Sequence, residues 1–255
     1  GIAPMVGLDV CLKALNHSYE IGKAFSRSPS PDLEVLRISS ENKIKQQLTE
    51  FEGKQLLKKY GVAIPMGFIV KNETEAIKAA EEIAFPVTLK VSGAKLVHKT
   101  ELNGVRLNIQ NVKALKEACD DLFKISPELL IEKMIESSIC ELIIGMDYDP
   151  TFGKHIIVGG GGVFVEFLKD SAVLILPVSR EDIHQALSNL KVFKLLEGFR
   201  GSIKGDVEAV IDSVMSVIEL ISTNEVEELD INPLLVLKES DGVVAADTLI
   251  KLYSG

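Results

Sequence analysis

The sequence predicts α+β or α/β architecture, an α/β-type sandwich of sheets and helices. Three observations carry that expectation. Strand-like and helix-like segments alternate from about Val62 onward, turn residues such as Asp149-Pro150-Thr151-Phe152-Gly153 separate them, and the chain closes on a hairpin. Its 255 residues, 46% of them hydrophobic, are enough to bury one large core or two small ones.

Leu8 to Phe25 places Leu8, Leu12, Leu15, Ile21 and Phe25 at helical spacing, and Ser26-Arg27-Ser28-Pro29-Ser30-Pro31 then reads as a linker. A new unit is expected near Lys43, so residues 1–42 form an N-terminal helix with its linker and residues 43–255 the main domain. Thr49 and Glu52 make a capping box before a helix that stops at Gly61. Val62 to Val70 reads as a strand, Thr74 to Ala84 as a helix and Pro86 to Val91 as a strand. Val105 to Ile109 is a strand, Val112 to Phe123 a helix, and Leu129 to Ile135 and Glu141 to Met146 two further strands. Beyond the Asp149 turn come strands at Lys154 to Val158, Val163 to Phe167 and Val173 to Leu176. Ser179 with Asp182 opens a helix, and Val207 to Ile221 forms a long one. Asp241-Gly242 joins Leu234 to Leu237 with Val243 to Ala246 as a hairpin, and Pro233 places the preceding segment at an edge or a bend.

With 37 acidic against 28 basic side chains, the net charge of −9 disfavours general affinity for nucleic acid or an anionic membrane. No apolar run approaches the roughly 18 to 20 residues that span a bilayer, and Ala172 to Val178 suits a buried strand. The start Gly1-Ile2-Ala3-Pro4 has neither an initiator Met nor a signal sequence, which suggests a processed or excised fragment. Cys11, Cys119 and Cys140 are odd in number and far apart, so they read as packing residues in a reducing, cytoplasmic compartment.

The groups able to do chemistry are few. Strand alternation puts Lys90 on the face opposite Val87, Leu89 and Val91, where it is either an edge-strand lysine reaching solvent or a phosphate-binding lysine. Asp230 and Asn232, two apart on a strand, project from one face; they are a pair of hard oxygen ligands or local turn caps. Gly159 to Gly162 is a tight turn or a backbone that points amides at an anion. Glu166, in an apolar strand, must reach water, a cation or a donor. Arg200, flanked by Gly198 and Gly201, is a surface arginine or a phosphate ligand. His98 lies in the connection Ser92 to Gly104, where a neutral imidazole is a competent nucleophile or an ordinary loop residue. His17, His155 and His184 have no paired ligand spacing and read as packing or surface residues.

In order, Leu48-Thr49-Glu50-Phe51-Glu52-Gly53-Lys54, Pro86-Val87-Thr88-Leu89-Lys90, Val97-His98-Lys99-Thr100-Glu101 with Gly104-Val105, Gly161-Gly162-Val163-Phe164-Val165-Glu166 and Glu228-Leu229-Asp230-Ile231-Asn232-Pro233-Leu234 resemble the ATP-grasp domain of NDP-forming acyl-CoA synthetases. The succinyl-CoA synthetase β subunit is a more distant likeness. The resemblance covers about Lys43 to Leu252 and implies two α+β subdomains that clamp ATP or ADP with Mg2+. By it, Lys90 contacts nucleotide phosphates, Glu132 with Met134 and Ile135 lines the adenine hinge, and Glu141 holds the ribose hydroxyls. Asp230 and Asn232 hold magnesium, Arg200 and the glycine run with Gly161 and Gly162 lie near the transferred phosphate, and Glu166 is counted with Arg200 and His98 among the catalytic residues. His98 matches the loop histidine that accepts a phosphoryl group, although Thr100, Glu101 and Asn103 stand where the family usually has Ser, Asp and Gly.

The resemblance also implies a ligase that needs an α part, as domain or subunit, to bind CoA and the acyl group, and an oligomer when complete. Gly1 to Phe25 resembles the closing segment of that α region. Two rival readings share the architecture: a nucleotide-sensing regulatory module without turnover, and a carboxylate–amine ligase that needs no histidine carrier.

Overall fold

The computed structural model describes residues 7–25, 44–93, 103–162 and 170–254. The chain divides into two units, residues 1–35 and 36–255. In the first, helix α1 (Leu8–Phe25) follows the predicted spacing, and Leu8, Leu12, Leu15, Tyr19 and Ile21 are exposed along it. The linker expected at residues 26–31 lies outside the described residues.

The second unit holds two sheets, and every strand pairing in them is antiparallel. That decides for α+β over a parallel α/β sheet. The smaller sheet has the order β2 (Gly67–Val70), β5 (Leu129–Lys133), β3 (Val87–Val91), β4 (Val105–Ile109). Helices α3 (Glu73–Ile83) and α4 (Val112–Leu122) are both opened by asparagine caps, Asn72 and Asn111. They pack Ala76, Ala80, Leu115 and Leu122 against Val87, Leu89, Val91, Leu129 and Ile131. Alternation therefore turns Thr88, Lys90, Leu130 and Glu132 to the face that these helices leave open.

The larger sheet runs β1 (Ile44–Gln47), β11 (Thr248–Ser254), β9 (Val226–Val236), β6 (Cys140–Asp149), β7 (Gly153–Gly160), β8 (Ser171–Ile175), with β10 (Val243–Ala245) also on β9. One face is covered by α2 (Glu50–Lys59), α5 (Arg180–Ser188), α6 (Phe193–Leu196) and α7 (Val207–Thr223), which bury Leu57, Ile183, Leu196, Val214 and Leu220 on it. Both capping boxes form as the sequence predicts, Thr49 with Glu52 and Ser179 with Asp182.

Two expectations are corrected and one alternative is decided. Val62 to Met66 carries no strand, because Pro65 lacks an amide to donate, and only Gly67–Val70 joins the sheet. Ala172 to Val178 is not a buried strand: β8 is the sheet's edge, with Leu174 inward and Val173 and Ile175 exposed. Of the two readings of Pro233, an edge or a bend, the bend holds. Pro233 sits inside β9, where the register with β6 slips between Leu142 and Ile144, so a bulge absorbs its missing amide. The strand expected at Val163 to Phe167 lies outside the described residues.

Burial pushes the Cys119 thiol up to about 11 and that of Cys140 up to about 12, so both stay protonated packing groups at neutral pH. His184 packs edge-on against Phe193. Among the described residues no helix is long and apolar enough to cross a membrane.

Candidate functional site

Lys90 is not on an edge strand: β3 lies between β5 and β4, and the side chain is buried. Its ammonium donates to Glu50 Oε1 at 2.6 Å and to the Ala246 carbonyl at 2.8 Å, with Glu132 Oε2 at 3.1 Å. A second ammonium shares these acceptors. Lys54, 1% exposed, donates to Glu50 Oε1 at 2.8 Å, to both Glu132 oxygens at 2.6 and 2.7 Å, and to the Ala246 carbonyl at 2.7 Å. Two lysines and two glutamates thus fill the space between the open face of the smaller sheet and the start of α2.

The local sequence explains why they meet. The capping box fixes the first turn of α2, and Gly53 lets that helix sit close on β11, since a Cβ there would come within 3.1 Å of Thr248. Gly67 makes room for Glu132, because a Cβ would stand 2.8 Å from Glu132 Cγ. Burial alone lowers both lysines, but for Lys90 the charges of Glu50, Glu132 and Asp247 outweigh it and hold the ammonium above the ordinary lysine range. Lys54 ends below that range, through burial and then the neighbouring charge of Lys90.

Asp247 links this cluster to the next. Its charge acts on Lys90 and also on Asp230, whose carboxyl is pushed up to about 6 by burial first, then by Asp247 and Glu228. Leu229 and Ile231 point into the core, so Asp230, half-buried, and Asn232, exposed, share the opposite face of β9. Gly145 on β6 leaves space beside the Asp230 carboxylate. Among the described residues no three or more His, Cys, Asp or Glu side chains are set to enclose a metal. Carboxylate and amide oxygens on one strand suit a hard cation that takes its remaining ligands from water and phosphate.

The glycine run is squeezed from both sides. A Cβ on Gly159 would lie 2.8 Å from the Asp170 carbonyl, and one on Gly161 2.8 Å from the Glu141 carbonyl carbon. The Gly160 and Gly161 amides donate to the carbonyls of Asp170 and Glu141, so these two do not aim at an anion. Gly162, at φ 79°, stands beside the Glu141 carboxylate. Asp170 also accepts from the Lys191 and Val192 amides at 2.7 and 2.9 Å, tying the run to the segment that enters α6.

Beyond α6, Gly198, Arg200 and Gly201 all have left-handed backbones, an arrangement that costs a non-glycine residue about 1 kcal/mol. Arg200 is exposed over the Phe199 ring, 5.2 Å from its centroid, and has no carboxylate partner among the described residues. Met134 and Ile135 lie in the connection from β5 to β6, where the Met134 sulfur accepts from Thr88 Oγ1 at 3.2 Å. Glu132, expected beside them at a hinge, instead has both oxygens on the lysines. His98 and Glu166 lie outside the described residues.

Sequence reading missed Glu50, Lys54, Asp170 and Asp247. The first two had a signal. Glu50, Gly53, Lys54 and Leu57 form the buried stripe of α2 at spacings of three and four, so a charged pair occupies positions where the pattern calls for apolar side chains.

The ATP-grasp domain family matches residues 39–252. Acetate–CoA ligase [ADP-forming] II of Archaeoglobus fulgidus is 38% identical over 205 residues, which are 80% of this chain but 30% of that protein. The chain therefore spans less than a third of that relative. The β subunit of acetate–CoA ligase [ADP-forming] II from Pyrococcus furiosus is 35% identical over 80% of this chain and 91% of its own length. A solved structure of the dinucleotide forming acetyl-coenzyme A synthetase 1 of Ca. Korarchaeum cryptofilum superposes with a TM-score of 0.71 at 31% identity, covering 81% of this chain and 92% of that one. That structure holds coenzyme A and Mg-AMPPCP, with its phosphohistidine segment pointing towards the nucleotide binding site.

Proposed function

The chain belongs to the ATP-grasp domain family as a homologue of the β subunits of ADP-forming acetate–CoA ligases, and on that premise we propose that it is the nucleotide-binding phosphoryl-transfer domain of an ADP-forming acyl-CoA synthetase. The whole enzyme interconverts acyl-CoA, ADP and phosphate with acid, CoA and ATP. The observation that carries this reading is that the turn before β11 bridges the two clusters, its Ala246 carbonyl accepting from Lys90 at 2.8 Å and its Asp247 carbonyl from the Asn232 amide at 3.2 Å, in a chain that parallels nearly the whole of a β subunit.

In this reading Lys90 and Arg200 hold phosphate oxygens, Glu141 takes the ribose hydroxyls, and Met134 and Ile135 flank the base. Gly161 and Gly162 keep the space over Glu141 open, and Glu166 is a further catalytic candidate. Asp230 and Asn232 would hold magnesium, which when bound offsets the charge of the phosphates. His98 is the carrier. Its imidazole nitrogen attacks the phosphoryl group of a phosphohistidine on an α CoA-binding part, forming one P–N bond as the other breaks. A terminal oxygen of ADP then displaces His98, so that a P–O bond replaces the P–N bond and ATP leaves.

Incubation with labelled ATP and magnesium reverses the last step and tests it. Acid-labile phosphate is expected on His98 and is absent from His98→Ala, which still binds nucleotide. Tight ATP binding by the unaltered chain, with its α partner present and without such phosphate, would favour a nucleotide sensor instead.

Asp230 gives a second check. Its carboxyl is raised in the fold, so its stabilising contribution is complete below the unfolded value of about 4 and is lost as the pH rises through about 6. Metal-free protein is expected to lose stability across that window, by less than about 3 kcal/mol because water screens the half-buried group. Magnesium opposes the loss and Asp230→Asn removes it. Denaturant unfolding at several pH values, with equal slopes for both proteins as the contrary result, settles the point.

A further inference from the structure

Lys54, 1% exposed, is among the most deeply buried charges in the domain. It and Lys90 contact the same three acceptors: Glu50 Oε1, the Glu132 carboxylate and the Ala246 carbonyl. We infer that Lys54 is a positioning residue for nucleotide binding, offsetting one of the two charges of Glu50 and Glu132 so that more of the field of Lys90 remains available to phosphate. The inference rests on the reading of Lys90 as the phosphate-binding lysine.

The charges that face Lys90 come from each element around it: Glu50 and Lys54 from α2, Glu132 from β5, and Asp247 from the turn before β11. With Lys54 present, two ammonium groups stand against three carboxylates. Without it, Lys90 alone would face all three, and one more uncompensated negative charge would oppose an incoming phosphate. Unit charges a few ångströms apart in a partly desolvated site interact by several kcal/mol, so the loss must be felt in affinity. The opposite displacements of the two lysines fit this division: Lys90 keeps its proton firmly, and Lys54 is the member under strain.

A purely structural role, pinning α2 to β5, also needs a buried Lys54 but makes no claim about charge. Nucleotide affinity and stability therefore have to be read separately. The test uses the 255-residue chain, ADP with magnesium, and calorimetric titration beside thermal unfolding. Lys54→Met is expected to weaken ADP binding by roughly tenfold to a hundredfold at neutral pH. The charge-balanced Lys54→Met/Glu50→Gln pair is expected to regain most of the affinity at neutral pH, whatever its stability.

Equal ADP affinity in Lys54→Met and the unaltered chain would overturn the inference, as would a double variant no better than the single one. If Lys54→Met does not fold, Glu50→Gln tests the same balance from the other side. It leaves Lys90 with one fewer negative charge beside it and must bind ADP severalfold more tightly, and weaker binding would refute the proposal. Failure of the unaltered chain to bind ADP would instead sink the reading of Lys90 itself.

Discussion

Lys90→Met is expected to abolish measurable ADP binding and to lower the stability of the nucleotide-free protein by roughly 3 to 5 kcal/mol. Both effects have one source. The buried ammonium bridges Glu50, Glu132 and the Ala246 carbonyl, so its removal leaves buried acceptors with too few donors. Lys90→Arg should not rescue binding, because a planar guanidinium cannot reproduce a compact ammonium among three acceptors already set for one. Calorimetry and denaturant unfolding measure the two losses independently. A surface pair supplies the control: Lys251, paired with Glu228 on the partly exposed side of β11, should cost no more than about 1 kcal/mol when replaced by Met. If Lys90→Met is no more costly than that, the buried cluster does not hold the domain as its geometry implies.

Local signals made much of the fold legible. The two capping boxes, the long apolar helix Val207–Thr223 and the Asp241-Gly242 hairpin each depend on residues close together in sequence, and each formed where its signal stood. The signals failed where a distant segment decided the outcome. Whether a strand is central or at an edge is set by its neighbours, so Lys90 read as a possible edge residue and Val173 and Ile175 as buried ones, each the reverse of what occurs. Lys54 shows the same limit more sharply. Nothing near it in sequence announces Glu132, 78 residues away, and only the apolar rhythm of its helix marks the charge as misplaced. Asp230 and Asn232 were easier, since a spacing of two on a strand fixes a shared face without outside help. Asp247 had no such partner in sequence; it reaches Asp230 and Lys90 only because β11 pairs beside β9.

Gly161 and Gly162 are adjacent, yet their replacements are expected to fail in different ways. A Cβ on Gly161 meets the Glu141 backbone at 2.8 Å, where β6 is held in the sheet and cannot yield. Gly161→Ala should therefore destabilise the domain by roughly 1 to 3 kcal/mol and break the hydrogen bond from its amide to the Glu141 carbonyl. A Cβ on Gly162 instead meets Glu141 Oε2 at 2.9 Å, the free end of a side chain that can rotate away. The cost there is about 1 kcal/mol for a left-handed alanine at φ 79°, together with a displaced carboxylate. If Glu141 holds the ribose, Gly162→Ala should weaken ADP binding severalfold while unfolding nearly as the unaltered chain does. Affinity measured with a nucleotide lacking the 2′-hydroxyl separates the causes. That ligand should bind Gly162→Ala and the unaltered chain alike, because it has lost the contact that the mutation removes. A Gly162→Ala chain that loses affinity equally for both nucleotides would place the ribose elsewhere and leave Glu141 as a residue that only seats the glycine run.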